Sequence, residues 1–312
     1  MMPRTALITH PAMLRHDTGL GHPESPDRLR AALAALDTPV FAELVRFEAP
    51  LVSDEAVMLV HPREFVDRLY SLAPKQEGML VGIDADTVMS AGSVEAMQRA
   101  AGAVTCAVDG VMAGLWTNAF CAVRPPGHHA EPDQAMGFCF LNNAAIGALH
   151  ARHAHKLQRV AVIDFDVHHG NGSQTVAEAD PDFFYGSIHD AGAYPGTGFA
   201  HETAHGNLVN APVPSGSAGA AWRRAFEEKI MPALERFEPE FIVISAGFDA
   251  HVLDPLASLR LETEDFDWAS REILTQAHRF CGGRLVSTLE GGYHLAALGR
   301  CVSSHVNVLM RG

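Results

Sequence analysis

The sequence predicts an α/β fold of three layers, a mostly parallel sheet with helices on both faces. Three observations carry that prediction. Short apolar, β-branched runs alternate along the chain with small-residue or amphipathic stretches of helical length. The runs at 160–163 and 241–246 are apolar without alternation, as strands covered on both faces are. The residues able to do chemistry follow such runs directly, in RPPGHH, DFDVHHGNG, SIHD, GFDA and EGGYH. In a parallel sheet those positions share one edge, and ligands bind there.

Taken in order, Thr5 to Thr9 is a short apolar first strand. The Gly-, Pro- and His-containing stretch after it becomes helical at about Ser25, a candidate N-cap with Pro26 at the first helical position. Ser53 to Val60 and Pro62 to Leu72 read as short helices, and Pro74 to Asp86 as a loop. Small and apolar residues at helical spacing from Ala91 to Leu115 predict a long buried helix. Ala119 to Val123 is a second strand, followed by the loop RPPGHHAEPDQAMGFCFLNN and a helix from Asn142 to about His155. The next strand starts at Val160 and gives way abruptly to Asp164, Asp166, His168 and His169, with Gly170, Asn171 and Gly172 as a turn. Phe183 to His189 and Asn207 to Val213 are strands, and Ala218 to Phe237 is helical. Phe241 to Ala246 is a buried strand. Thr263 to Phe280 is a helix with Thr263 as candidate N-cap, Leu285 to Leu289 the last strand, and Leu295 to Leu309 the closing helix. No composition break, linker or repeat divides residues 1–312, so they read as a single domain.

Composition narrows the function classes. With 312 residues, 47% of them hydrophobic and 19% charged, the chain can build a large core. No stretch reaches the roughly 18 apolar residues of a membrane span. The N-terminal MMPRTALITHPAM lacks the apolar region of an export signal, so no membrane partner and a cytoplasmic location are expected. Cys106, Cys121, Cys139, Cys281 and Cys301 are odd in number and never form CxxC, which excludes a disulfide framework and a thiolate zinc site. A net charge of −14 argues against nucleic acid as a partner and suits a neutral or cationic ligand.

Side chains alternate along an extended chain, so Asp164, Asp166 and His168 are expected on one side of it. Two carboxylates and an imidazole at the end of a buried strand call for a cation. Asp166 and His168, with Asp249 from GFDA, supply three ligands and leave a position open, the pattern of a catalytic zinc site. Iron(II), cobalt or manganese would suit the same donors. His128 and His129 share a Pro-Pro-Gly loop; alone they would read as solvated, but Asp164 can accept from His128 and Asn171 can orient His129. An imidazole so poised beside a metal-activated water is equipment for hydrolysis. Tyr293, after two glycines, can hydrogen-bond an oxyanion on a carbonyl that the metal polarises. Phe138 and Tyr194 lie in glycine-containing loops and would line a narrow slot for a long aliphatic chain.

RPPGHHA, GFCFLNN, DFDVHHGNG, YPGTG, SAGFDAHVLDP and LEGGY, in this order and spacing, resemble the histone deacetylase superfamily, with its bacterial deacetylase-like and acetylpolyamine amidohydrolases. The likeness runs from GHPESPDR to the last strand, and HHGNG with GFDA is similar to the class II-like branch. It implies an arginase/deacetylase-like fold and a zinc-dependent amidohydrolase with Asp166, His168 and Asp249 as zinc ligands. It implies His129 as general base, His128 as its electrostatic or acid partner, and Tyr293 as oxyanion stabiliser. Gly137 would accept from the substrate amide through its carbonyl, Phe138 and Tyr194 would wall the acyl-lysine tunnel, and Leu256 would sit over its mouth. A structural potassium ion would take Asp164 and Ser187 with the carbonyls of Asp166, His168 and Ile188, and Arg28 would line an inner cavity behind the metal.

Two positions depart from the family pattern. Tyr194 stands where phenylalanine is commonest and adds a hydroxyl beside the substrate stem. Leu256 is not the glutamate of the polyamine enzymes, although the acidic stretches Asp84 to Asp86 and Glu131 to Asp133 suit a cationic substrate. The reading is therefore a deacetylase acting on an acylated amine such as acetyl-lysine, with acetylpolyamines or another small amide as the alternative. A two-metal ureohydrolase would need more carboxylates, and a silent binding module would need no general base. Self-association into a homo-oligomer leaves no trace that the sequence exposes.

Overall fold

The computed structural model describes residues 5–312. The first four residues, part of the N-terminal stretch discussed above, lie outside them. Eight parallel strands form the central sheet: β1 (Thr5–Thr9), β2 (Val45–Glu48), β5 (Asn118–Cys121), β6 (Val160–Asp164), β7 (Phe183–Asp190), β8 (Leu208–Val213), β9 (Phe241–Ala246) and β10 (Leu285–Leu289). Their spatial order is β2-β1-β5-β10-β9-β6-β7-β8. A separate antiparallel pair, β3 (Val81–Gly82) and β4 (Val88–Met89), lies within the stretch expected as loop and just beyond it. Every residue of β5, β6, β7, β9 and β10 is buried, which is why β6 and β9 read as apolar without alternation.

The helices are α1 (Pro26–Leu36), α2 (Asp54–Val57), α3 (Arg63–Ser71), α4 (Ser93–Met112), α5 (Asn143–His155), α6 (Asn171–Ala179), α7 (Gly219–Ala225), α8 (Met231–Phe237), α9 (Thr263–Cys281) and α10 (Leu295–Arg311). α4, α5 and α6 cover one face of the sheet; α1, α9 and α10, with α7 and α8, cover the other. The three layers, the sheet and both helical faces are those predicted.

That division decides where the chemistry sits. The chain leaves β6 toward α6 on one face and leaves neighbouring β9 toward α9 on the other. Between strands whose connections part in this way a crevice opens at the carboxyl ends, the usual ligand site of such sheets. Asp166 and His168 follow β6, and Asp249 follows β9, so the three face one another across the crevice.

Four local expectations are corrected. Glu262, not Thr263, is the N-cap of α9: Asp265 Oδ2 accepts from the Glu262 backbone N–H, reciprocated by the Glu262 side chain. Gly170–Gly172 is not a free turn, because α6 begins at Asn171; a Cβ on Gly172 would meet the Ala130 carbonyl oxygen at 2.1 Å, so the glycine serves close approach of helix and loop. The extended alternation expected through His168 stops at Asp164. Beyond it each carboxylate turns the chain: Asp164 Oδ1 accepts from Asp166 N (3.1 Å), and Asp166 Oδ1 from His168 N (2.9 Å). The helix expected from 218 to 237 is interrupted by a π turn at Phe226–Ile230, just ahead of Pro232, which has no N–H to donate back.

Candidate active site

Asp166, His168 and Asp249 converge. One potential ligand atom from each lies within 4.8 Å of the others, and all three residues are buried or nearly so. His168 Nδ1 stands 3.1 Å from Asp166 Oδ1 and 3.2 Å from Asp249 Oδ2. The remaining carboxylate oxygens are held by backbone: Asp166 Oδ2 accepts from Gly291 N (2.8 Å), and Asp249 Oδ1 from Val167 N (2.9 Å). Asp249 Oδ2 is buried and accepts no hydrogen bond among the described residues. Burial, then the nearby Asp166 charge, pushes the Asp249 carboxyl up to about 6. Two buried carboxylates, one oxygen of them orphaned, with an imidazole nitrogen between, fit a divalent cation. Gly291 is required beside them, since a Cβ there would meet Asp249 Oδ2 at 2.0 Å and Asp166 Oδ2 at 2.6 Å.

Two histidines stand beside this group with opposite electrostatics. His128 Nδ1 donates to Asp164 Oδ2 (2.9 Å), and its Nε2 is 3.8 Å from Asp166 Oδ1. Burial alone would depress the His128 imidazolium, but Asp164 and Asp166 outweigh it and push the pKa up to about 10. His129 meets a neutral partner, Asn171 Oδ1, at 2.9 Å from Nδ1. Burial, then the adjacent His128 and His168, hold His129 well below the ordinary imidazole value. The tautomer follows from the next partner along. Asn171 Nδ2 donates to Glu131 Oε1 (2.6 Å), so Asn171 Oδ1 faces the ring, His129 Nδ1 carries the proton, and Nε2 keeps a lone pair. One imidazole is thus a cation and its neighbour, 4.0 Å away between centroids, a neutral base.

Tyr293 lies against Phe138 and beneath the Arg28 guanidinium, 4.8 Å from the ring centre. Burial raises the Tyr293 phenol well above its ordinary pKa although Arg28 opposes this, so the group is a neutral O–H donor. A cavity of about 240 Å³ reaches this centre, lined by Pro23, Asp86, His129, Gly137, Phe138, His168, Tyr194, Leu256 and Tyr293. Phe138, Tyr194, Gly137 and Leu256, all expected at a substrate slot, line it together. Asp86 reaches it too, and Leu256 is 42% exposed at the surface.

Of the five strand-end motifs, four reach this centre. SIHD does not; it braces the loops around it. His189 Nε2 donates to the Gly198 carbonyl (3.0 Å), and Asp190 accepts from Ser215 and Ser258. Ser187 lies opposite Asp164 in register, its hydroxyl 2.8 Å from His189 Nδ1, and buried Ile188 follows, so the residues of the expected potassium site are neighbours.

Of the layer beneath, sequence reasoning named Arg28 and missed the rest. Glu290 Oε2 accepts from Gly127 N (2.7 Å) and His128 N (3.2 Å), fixing the loop that carries both histidines. Burial raises the Glu290 carboxyl to about 7 although His128 opposes it. Arg28 donates to the carbonyls of Gly292 (2.7 Å) and Glu290 and so holds the Tyr293 turn. Arg28 and Arg124 share the buried Glu24, Arg124 through two bonds of 2.8 Å. The EGGYH motif contained the signal for Glu290, a carboxylate directly after a buried strand.

Residues 22–309 match the histone deacetylase domain family. The chain is 39% identical over 310 residues to "Histone deacetylase 14, chloroplastic" of Arabidopsis thaliana, covering 93% of this chain and 73% of that protein. It is 38% identical over 287 residues to the "Histone deacetylase-like amidohydrolase" of Pseudomonas aeruginosa, covering 90% and 75%. The crystal structure of the HDA15 HD domain superposes with a TM-score of 0.92 at 33% identity, covering 99% of this chain and 88% of that one.

Proposed function

The chain belongs to the histone deacetylase family, and from that premise we propose that it is a zinc-dependent amidohydrolase that removes an acetyl group from a lysine-like amine. One observation supports this above the rest: His128, held by a carboxylate, and His129, held by an amide, stand side by side next to a three-ligand metal position, at the foot of a cavity walled by Phe138 and Tyr194. Asp166, His168 and Asp249 would hold the ion. Zinc, when bound, supplies Lewis acidity that polarises the amide carbonyl and acidifies water.

The chain's own groups do the rest. His129 Nε2 takes the proton of the attacking water, with Nδ1–H anchored on Asn171. His128, anchored on Asp164, stabilises the developing negative charge and can hand a proton to the departing amine. The Tyr293 hydroxyl donates to the oxyanion. The Gly137 carbonyl accepts from the substrate N–H, while Phe138 and Tyr194 exclude water along the stem. Asp164 and Ser187, with the carbonyls of Asp166, His168 and Ile188, would take potassium in the same reading, and the cytoplasmic location is part of it.

Asp86 at the cavity favours a cationic substrate and keeps small acetylated polyamines as the second reading. The test is release of acetate from acetyl-lysine peptides and acetylputrescine, and of the matching longer acid from longer acyl-lysines, before and after chelation and zinc restoration. Turnover that chelator abolishes and zinc restores is the expected result. Turnover indifferent to chelator, or none on any acyl amine, would sink the proposal.

A further inference from the structure

The carboxyl-terminal parts of α4 and α5 meet through three polar side chains that the catalytic centre does not include. α4 ends at Met112, shortly before β5 starts, and α5 ends at His155, shortly before β6 starts. Their last turns therefore lie at the amino-terminal edge of the sheet, opposite the cavity. Asp109, in the last turn of α4, receives both imidazoles of the α5 end on one oxygen. His150 Nε2 is 2.8 Å and His155 Nε2 2.7 Å from Asp109 Oδ1. Residues five apart point about 140° away from each other on an ideal helix. Here both imidazoles nevertheless reach the one Asp109 oxygen, His155 from the last helical position, after which Lys156 turns left-handed (φ 58°, ψ 32°). The rings stand at 85° with centroids 5.9 Å apart, so the nitrogens approach from different directions and do not stack. Asp109 has no Lys or Arg partner among the described residues.

We propose that Asp109, His150 and His155 form a second, zinc-binding site that clips α4 to α5. Two imidazole nitrogens and a carboxylate oxygen within 4.8 Å of one another are a zinc donor set with the remaining position open to solvent. Tetrahedral bonds of about 2.0–2.2 Å place donors about 3.3 Å apart, so the nitrogens need to retreat from Oδ1 by only about half an ångström. Asp109 is exposed and the histidines are partly so, which leaves them free to make that adjustment. Partial burial would raise the Asp109 carboxyl, but the hydrogen bonds from His150 and His155 hold it below its usual range, so an ionised ligand is present at neutral pH. Neither helix end takes part in the reaction, so this inference stands apart from the proposed function.

The test compares zinc content of the full chain, its Asp109→Asn variant and the paired His150→Ala, His155→Ala variant after equilibration with zinc. The parent is expected to hold one equivalent more than either variant, whatever the catalytic centre holds. Binding at this position should weaken at least about 10–100-fold in the variants, the loss that even supporting residues of metal sites cause. Equal zinc content in all three proteins would overturn the site and leave the histidines as plain donors to Asp109. Should a variant fail to fold, the parent answers alone: zinc must shift the imidazole NMR signals of His150 and His155, and unmoved signals overturn the proposal equally.

Discussion

Neighbours and burial together set what each active-site histidine is. Against burial, the Asp164 and Asp166 carboxylates that His128 faces raise it, whereas burial and the adjacent His128 and His168 lower His129, whose Nδ1 meets only an amide. The assignment of Tyr293 leads to a measurement: Tyr293→Phe should lower kcat by about 10²–10³ with zinc content unchanged, the loss typical of an oxyanion donor. Full activity would remove the role. Gly291→Ala makes the contrasting case, because its Cβ would press on both carboxylates. That variant should lose zinc as well as activity, read by elemental analysis; retained zinc would show that the pair can move aside. Residues inside the motifs were legible because chemistry and spacing coincide there. The pairing of Glu24 with Arg124 was not, although both lie in motifs, since a bond across 100 residues exists only once the chain has folded.

Among elements, α5 shows how a capping arrangement links packing to pH. Asn142 caps α5 by accepting from Ala145 N (3.0 Å), and its own N–H donates to His61 Nε2 (2.9 Å), while His61 Nδ1–H donates to Pro132 O (3.0 Å). That pattern needs neutral His61, and burial depresses its pKa to about 4 against the pull of the Pro132 carbonyl. The unfolded chain then binds the proton more readily than the folded one. Stability is full above about 6.5 and falls as pH drops toward 4, by roughly 3 kcal/mol from this group. Urea midpoints measured across that range should decline, and less steeply in His61→Gln; equal slopes would refute the link. Strands buried on both faces were legible as apolar runs. β2 was not, because an edge strand reading VRFE is mostly exposed and charged. α6 was hidden for another reason: its first residues, Asn and Gly, are chosen for the site and for close approach, against helical preference.

At the scale of the whole molecule, one buried carboxylate joins distant parts of the chain. Burial would raise the Glu24 carboxyl, but the Arg124 charge overrides it and holds it well below the usual range. Glu24→Ala would strand Arg28 and Arg124 without their partner, and should cost about 3–5 kcal/mol in denaturant unfolding. A loss under ~1 kcal/mol would mean that water reaches the guanidinium groups. The groups proposed to react hang from buried strand ends, whereas Asp86 and Leu256 belong to surface loops that meet only at the cavity. Such separation allows substrate preference to drift during evolution by substitution at the rim, while the reacting centre stays untouched. A library randomised at Asp86 and Leu256 should therefore yield altered selectivity far more often than inactive protein.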